Sequence, residues 1–301
     1  MHIQKNILLA PYTTFHIGGP ADFFVRVTNS DDFIGAISWA RGKGIPSFIL
    51  GQGANILVSD RGFRGLVIKN ESNRIEFLKN NVMRAESGAI ISDMIEQAAT
   101  RGLSGLEHFA GIPSSLGGAL WQNLHFLSPD RTATVYISDI LDTARILRIA
   151  EYEFTPIKEE TVDKTYFKFG YDYSILHDTR DVVLSATVQL QEKATAEIRH
   201  TIDENISWRK AKHPTDATKK SAGSVFKKIE GHGAGRLIEK AGLKGKRMGG
   251  AQISEQHANF IINTGNATAK NVRDLISLVQ TEVQNVTGLS LEPEISFIGE
   301  F

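Results

Sequence analysis

The 301-residue sequence contains no cysteine, and this absence excludes disulfides, thiolate zinc sites, iron–sulfur clusters and thiol nucleophiles. Any electron-transfer chemistry must therefore come from a bound cofactor. Net charge is also absent, because 34 Lys and Arg residues balance 34 Asp and Glu residues. We therefore expect neither nucleic acid nor a membrane as a partner. Within residues 1–16 the apolar run covers only residues 7–10, too few for a secretory signal or a membrane span, so a cytoplasmic location is expected.

Several common catalytic motifs are missing as well. The run Gly51-Gln52-Gly53 lacks the third glycine of GxGxxG, and residues 231–236 lack the Gly-Lys-Ser/Thr of a P-loop. The nine histidines show no paired metal-binding spacing, so no metal site is predicted. Each histidine is interpreted as a structural or surface residue. Ser224 lies in the run AGSVF, which differs from the GxSxG elbow of hydrolases. Its hydroxyl could nevertheless donate a proton to a bound substrate.

Hydrophobic periodicity predicts a mixed α and β chain. The N-terminal part reads as a strand at residues 21–25, a helix capped by Ser30 and ended by Gly42, and strands at residues 47–50 and 56–58. A helix is predicted at residues 92–101, and short β-type runs between residues 138 and 191 indicate a more antiparallel α+β region.

The C-terminal part begins with a polar helix predicted at residues 195–212. A strand at residues 259–263 precedes a helix capped by Thr268 and ended by Gly288, and the last strand is predicted at residues 295–298. The predicted apolar face of the capped helix consists of Val272, Leu275, Ile276, Val279, Val283 and Val286. These patterns indicate a third, α/β region of about one hundred residues.

Two features indicate an anionic ligand. Glycine loops occur at residues 17–20, 51–55 and 111–118, and glycine lets backbone amides approach a phosphate closely. Residues 207–247 hold twelve Lys and Arg residues against Asp216, Glu230 and Glu239. Such a stretch is either a solvated face or a site for a ligand that carries phosphates.

The ordered motifs resemble those of the UDP-N-acetylenolpyruvoylglucosamine reductase family over nearly the whole chain, in its shorter form without an extra tyrosine-bearing loop. The matching runs are TFHIGGPAD (14–22), LGQGANILV (50–58), residues 105–119, AGSVFK (222–227), AGRLIE (234–239), GAQIS (250–254), HANF (257–260) and LEPE (291–294). The resemblance implies an α+β fold, with a two-part FAD-binding domain of the vanillyl-alcohol-oxidase (PCMH) type followed by a C-terminal α/β substrate-binding domain. We place the two FAD-binding subdomains at residues 1–67 and 68–198, and the C-terminal domain at residues 199–301.

The resemblance also implies roles for individual residues. FAD would be bound by Gly51, Gln52, Gly53, Ala54, Asn55, Ile112, Pro113, Ser114, Ser115, Gly117, Gly118 and Asn123. The nucleotide sugar, UDP-N-acetylglucosamine enolpyruvate, would contact Lys212, Tyr171, Lys227, Lys228, Gln252 and Asn259. NADPH would be the reductant, Ser224 would protonate the carbanion left by hydride transfer, and Glu294 would be the catalytic glutamate. The implied protein acts in peptidoglycan synthesis and is expected to be a monomer.

One departure from the family pattern affects catalysis. In the run FGYDYS (169–174), Asp172 occupies the position where the resemblance implies an arginine that steadies the enolate. Two like charges about 4 Å apart, at an effective dielectric constant near 20, repel by about 4 kcal/mol. We therefore hypothesise that His125, Arg131 or Lys228 supplies the missing positive charge.

Other departures lie in the loops. Ala54 replaces a serine, which removes one phosphate hydrogen bond worth about 1–3 kcal/mol, while Leu124-His125-Phe126 replaces Ala-Gly-Ala and Lys228 replaces an asparagine. Two alternatives to the family activity follow. The flavin fold could act on a different nucleotide sugar or acid, or the chain could bind these ligands without turnover.

Overall fold

The computed structural model describes residues 1–149, 157–214, 220–229 and 231–301. They form two compact units: the first comprises residues 1–2, 25–51 and 68–208, and the second comprises residues 3–24, 52–67 and 209–301. The chain passes between the units inside strands β2 (Pro20–Val27) and β5 (Phe63–Asn70). Strand β1 (Gln4–Leu8) pairs antiparallel with residues 20–24 of β2 in the second unit, and β3 (Ser47–Leu50) belongs to the first unit.

The first unit is built around an antiparallel sheet with helices. Its helices are α1 (Ser30–Gly42), α2 (Ile91–Ala99), α3 (Leu116–Gln122) and most of α4 (Thr195–Lys212). Its further strands are β6 (Ile75–Phe77), β7 (Val82–Glu86), β8 (Leu103–Ser104), β9 (His125–Leu127), β10 (Thr134–Tyr136), β11 (Leu141–Arg148), β12 (Lys158–Asp163), β13 (Val182–Gln189) and β14 (Gln191–Glu192). Short 3-10 helices lie at Glu107–Phe109, Ile137–Asp139, Lys164–Phe167 and Ile175–His177.

The five-stranded sheet of the first unit has the order β12-β11-β13-β7-β6, and every pairing in it is antiparallel. Helix α3 packs on β7 and β13, and the core of this unit includes fully buried side chains such as Met83, Met94 and Leu120. The β-type runs between residues 138 and 191 are therefore confirmed as antiparallel strands. Because α3 packs on this sheet, the sheet positions the loop before the helix and Asn123, the residue that ends it.

Helix α1 follows the predicted pattern with one correction. Phe33, Ile37 and Ala40 are buried, as their helical spacing predicts. The prediction that Ser30 caps the helix is wrong, because Asn29 has an extended backbone and its side-chain oxygen accepts from the Asp32 N–H at 2.9 Å. Ser30 is instead the first helical residue.

The second unit packs helices on a smaller sheet. Its helices are α5 (Ala234–Lys240) and α6 (Ala269–Thr287), with a 3-10 helix at Ala10–Tyr12. Its further strands are β4 (Ile56–Val58), β15 (Arg247–Met248), β16 (Ala251–Ile253), β17 (Ile261–Asn263) and β18 (Ser296–Ile298). Strands β15, β16 and β17 form an antiparallel sheet, β18 pairs with β4 in parallel, and α6 packs on α5, β15 and β16.

Helix α6 has the predicted ends. The Thr268 hydroxyl accepts from the Asn271 N–H at 3.1 Å, and Gly288 ends the helix with a left-handed φ of +74°. The Asp60 carboxylate adds a second cap, accepting from the Ala269 N–H at 2.7 Å and the Lys270 N–H at 3.0 Å. The inclusion of Val286 in the apolar face is wrong, because its side chain is 49% exposed beyond the end of the packed stripe.

The glycines at residues 18 and 19 serve close packing in the second unit. A Cβ on Gly19 would overlap the carbonyl of Asp60, and the Gly19 N–H donates to Ser59 O at 2.8 Å. The carbonyls of both glycines accept from the backbone of residues 9 and 10. The backbone groups of this loop are thus used within the protein, which gives these glycines a structural explanation.

Candidate functional site

The loop at residues 51–55, between β3 and β4, offers unused backbone donors. Gly53 has a φ of +63°, and a Cβ there would overlap the carbonyl oxygen of Tyr12, so only glycine fits. The Gly53 carbonyl accepts from the Thr14 N–H at 3.1 Å, which fixes the loop. None of the N–H groups of residues 52–55 donates to any residue that the structure describes. A run of unsatisfied amides of this kind suits an anionic ligand.

The loop at residues 111–118 precedes α3 in the first unit. Ser115 caps α3, with its hydroxyl accepting from the Gly118 N–H at 3.4 Å. The Gly117 N–H donates to Ser87 O at 2.7 Å, and a Cβ on Gly117 would lie 3.1 Å from that oxygen, so glycine allows this close approach. The N–H groups of Ser114 and Ser115 donate to no described residue. This loop therefore also presents free amide donors.

The beginning of the first loop meets the second loop within the first unit. A Cβ on Gly51 would lie 2.5 Å from the Ser115 hydroxyl oxygen, so a larger residue would separate the two segments. The Lys69 Nζ donates to Gly51 O at 2.6 Å. Lys69 was not predicted from the motifs, although a lysine after the apolar run of residues 66–68 is a visible signal.

Asn123 ends α3 in a left-handed conformation, with a φ of +50°. Its Nδ2 donates to Gly170 O at 2.9 Å, which fixes the orientation of the amide. Its Oδ1 is shielded from solvent and accepts from no described residue. Because a buried acceptor without a donor is costly, this oxygen suits a ligand N–H. Within the first unit, Asn123 and the amides of the second loop thus fit a flavin dinucleotide, whose diphosphate is anionic and whose ring carries an N–H.

Ser224 and Glu294 lie on adjacent segments of the second unit. Val225, the neighbour of Ser224, accepts from the Glu294 N–H at 2.7 Å through its carbonyl, and its own N–H donates to Asn259 O at 2.8 Å. Both predicted catalytic side chains are half-buried. Asn55 joins the same group of segments, since its carbonyl accepts from the Ser296 N–H at 3.0 Å. The structure therefore brings the predicted proton donor and glutamate to neighbouring backbone segments.

Several residues predicted to contact the substrate have structural partners. Asn259 is 7% exposed, and its amide accepts from the Phe226 N–H at 3.0 Å and donates to the Phe226 carbonyl at 2.9 Å. The buried Gln252 accepts from Arg247 at 3.0 Å and donates to the Gly245 carbonyl at 3.3 Å. These amides hold the protein backbone, and Asn259 in particular holds the segment that carries Ser224.

The predicted cations differ in their surroundings. Lys227 pairs with Glu292 at 2.5 Å, whereas Lys212, at the end of α4, and Lys228 are exposed. Beside Lys212, burial lowers the pKa of His213 to about 3, so its ring is neutral near pH 7. Asp216 and Glu230, two of the three acids in the basic stretch, lie outside the described residues.

Asp172 is buried in the first unit in a left-handed conformation, with a φ of +52°. Its Oδ1 lies 3.7 Å from the His125 Nδ1, and the Asp172 side chain is 1% exposed. The His125 ring also lies 4.8 Å from the ring of Tyr171, which is 42% exposed. Of the three proposed compensating cations, His125 is the one described beside Asp172. The Arg131 guanidinium lies 5.6 Å from the Phe126 ring.

No helix among the described residues is long and apolar enough to cross a membrane. In the same part of the chain, no group of three or more His, Asp or Glu side chains is arranged to hold a metal ion.

Comparison with known families defines the class of protein. A family model described as an FAD binding domain matches residues 21–148, which contain the two loops with free amides. The fold and these loops thus define an FAD-binding flavoprotein. A second family model, described as the UDP-N-acetylenolpyruvoylglucosamine reductase C-terminal domain, matches residues 213–298. Together with the relatives below, these matches show that the chain belongs to the UDP-N-acetylenolpyruvoylglucosamine reductase family of FAD-dependent oxidoreductases.

The relatives match over almost the full chain. A UDP-N-acetylenolpyruvoylglucosamine reductase from Caldanaerobacter subterraneus subsp. tengcongensis is 40% identical, over 99% of this chain and 94% of its own length. One from Synechococcus sp. (strain JA-3-3Ab) is also 40% identical, over 99% of this chain and 92% of its own. The crystal structure of the reductase from Thermus caldophilus superposes with a TM-score of 0.81 at 32% identity, covering 99% of both chains. The α+β fold with an FAD-binding domain and a distinct C-terminal domain is thereby confirmed.

Proposed function

We propose that the chain catalyses the NADPH-dependent reduction of UDP-N-acetylglucosamine enolpyruvate to UDP-N-acetylmuramate in peptidoglycan synthesis. The observation that carries this proposal is the hydrogen bond from the Glu294 N–H to Val225 O, which sets the segment of Glu294 against the segment of Ser224. The names of the full-length relatives support the same reaction. The proposal also includes a cytoplasmic location and a monomeric state.

FAD, when bound, would supply the hydride chemistry that links NADPH to the enol ether. The chain must then provide a proton and stabilise negative charge next to the substrate carboxylate. The Ser224 hydroxyl is the proposed proton donor, and its segment is fixed on both sides by backbone hydrogen bonds. A donor held in this way needs little reorganisation when the charge develops, which favours the transition state.

The cation that opposes the developing charge is the second element of the proposal. Asp172 replaces the family arginine, and His125 is the candidate of the three that contacts it. The Asp172 Oδ1 lies 3.7 Å from the His125 Nδ1. The proposed role of Asp172 is therefore to position His125, the proposed replacement cation, while the exposed Lys212 attracts the phosphates of the nucleotide.

The test separates the two half-reactions under anaerobic conditions. NADPH should bleach the flavin absorbance, and the enolpyruvyl sugar should then restore it. In Ser224→Ala, bleaching should keep the wild-type rate, whereas recovery should slow by about 10²- to 10⁴-fold, the usual contribution of a general acid. Ser221→Ala, three residues away on the same segment, is the matched control and should behave as the wild type.

Two results would contradict the proposal. Recovery at the wild-type rate in Ser224→Ala would remove the serine from proton transfer. A wild-type flavin that NADPH bleaches but the enolpyruvyl sugar never reoxidises would show that another acid or sugar is the substrate.

A further inference from the structure

Lys69 occupies an unusual place for a charged residue. It lies near the end of β5, directly after the buried run of residues 66–68, and its side chain is half-buried. The Nζ donates to the Gly51 carbonyl at 2.6 Å, at the first residue of the first glycine loop. The ammonium group has three donor hydrogens, so this bond leaves two of them for other acceptors.

No acidic side chain among the described residues forms an ion pair with Lys69. The charge of Glu71 raises the pKa of Lys69, but the Glu71 carboxylate pairs with Arg26 at 2.9 Å. Burial lowers the pKa of the Lys69 amine, Arg26 lowers it further, and Glu71 offsets only part of this effect. A partly desolvated cation without a paired anion is unfavourable, and a bound anion would relieve that cost.

The two glycine loops lack a cation of their own. Residues 51–55 and 111–118 contain no charged side chain, so their amides supply only dipoles to a ligand. Within the first unit, Gly51 approaches the Ser115 hydroxyl, and the ammonium group of Lys69 donates to the Gly51 carbonyl. A dinucleotide diphosphate carries two negative charges, which amide dipoles alone stabilise less well than dipoles together with a cation.

We propose that Lys69 is the counter-ion of the FAD diphosphate, placed by its bond to the Gly51 carbonyl in the part of the first unit where Gly51 approaches Ser115. The proposal rests on the FAD-binding domain of this family and is independent of the sugar substrate and of Ser224. The lysine therefore contributes to cofactor affinity and has no part in proton transfer.

Flavin binding by the apoprotein tests this assignment. The flavin is removed, and FAD or riboflavin is titrated back while flavin fluorescence is recorded; riboflavin carries the ring without phosphates. Lys69→Gln and Lys69→Met should bind FAD about 10- to 100-fold more weakly, as expected for the loss of a hydrogen-bonded charge. Their affinity for riboflavin should match the wild type. Lys69→Arg, which keeps the charge, should retain most of the FAD affinity.

The glutamine variant separates charge from positioning, because its amide can still donate to the Gly51 carbonyl. Salt provides a second readout: raising the ionic strength should weaken FAD binding by the wild type more steeply than by Lys69→Gln. Lys79→Gln, at an exposed lysine of the same unit, is the matched control and should bind FAD normally.

Three outcomes would overturn the proposal. Wild-type FAD affinity in Lys69→Gln would show that the lysine only holds Gly51. An equal loss of riboflavin and FAD affinity in Lys69→Met would indicate a general structural role. Identical salt dependence in the wild type and Lys69→Gln would exclude an ionic contact with the diphosphate. If the wild-type chain binds FAD normally but does not turn over the enolpyruvyl sugar, the proposed function fails and the assignment of Lys69 stands.

Discussion

Replacing Asn259 with alanine is expected to damage both stability and proton transfer. The Asn259 amide pairs with the N–H and the carbonyl of Phe226 at 3.0 and 2.9 Å, much as a neighbouring strand would. Phe226 is 2% exposed, so water cannot replace these bonds. Leaving two buried backbone groups unsatisfied costs about 1–3 kcal/mol each, so we expect a loss of about 2–6 kcal/mol in the free energy of unfolding. This is a large part of the stability of an ordinary domain.

Urea unfolding followed by circular dichroism measures the first effect, and flavin reoxidation by the enolpyruvyl sugar measures the second. Asn263→Ala is the matched control. The Asn263 amide is also buried and donates to the Phe15 carbonyl at 3.1 Å, yet it holds no residue of the Ser224 to Phe226 segment. Both variants should lose stability, and only Asn259→Ala should slow reoxidation. A loss below about 1 kcal/mol in Asn259→Ala would refute the reasoning, because the estimate of two costs of about 1–3 kcal/mol would then fail.

Three further variants test other parts of the structure. Asp60→Ala removes the carboxylate that accepts from the first two N–H groups of α6 and should lower the free energy of unfolding by about 1–2 kcal/mol, measured by urea unfolding; an unchanged midpoint would contradict the cap. Gly53→Ala places a Cβ against the carbonyl of Tyr12 at a positive φ, so the purified protein should carry less flavin per chain by absorbance, and full flavin content would argue against the loop geometry. His213 has a folded pKa of about 3, below the unfolded value near 6.5, so its stabilising contribution is present above about pH 6.5 and is lost as the pH falls towards 3. The urea midpoint should fall over that range, and His213→Gln should flatten the dependence; equal slopes would contradict the assignment.

Local patterns in the sequence predicted much of the secondary structure. Strand β3 and helix α4 have the predicted bounds, Ser47–Leu50 and Thr195–Lys212, and helix α6 has the predicted cap and end. These features depend on neighbouring residues: a cap acts within one turn, and an apolar stripe repeats along one helix. The two errors in the predicted helices also concern local features. Asn29 competes with the adjacent Ser30 for the cap, and the face containing Val286 continues past the end of the packed surface.

Local patterns could not predict contacts between residues that are far apart in the sequence. Asn259 pairs with Phe226 across 33 residues, and Asp60 caps a helix 209 residues later. The family motif predicts that Asn259 contacts the substrate, whereas the structure shows that its amide binds the backbone of Phe226. Lys69 shows the same limit, because its importance depends on Gly51 lying beside it in space.

The departures at positions 124–126 and 172 become a single feature in the folded chain. His125 and Asp172 are 47 residues apart in sequence, yet the His125 Nδ1 lies 3.7 Å from the Asp172 carboxylate. The repulsion of about 4 kcal/mol estimated for a bare aspartate beside a substrate carboxylate assumes an uncompensated charge. The Asp172 side chain is 1% exposed and lies beside the His125 ring, so it is not the bare aspartate to which that value applies. An arginine would place its charge directly on a ligand, whereas Asp172 places a carboxylate beside a histidine ring. The hypothesis that follows is that His125, held beside Asp172, takes the part of the arginine that the resemblance implies at position 172.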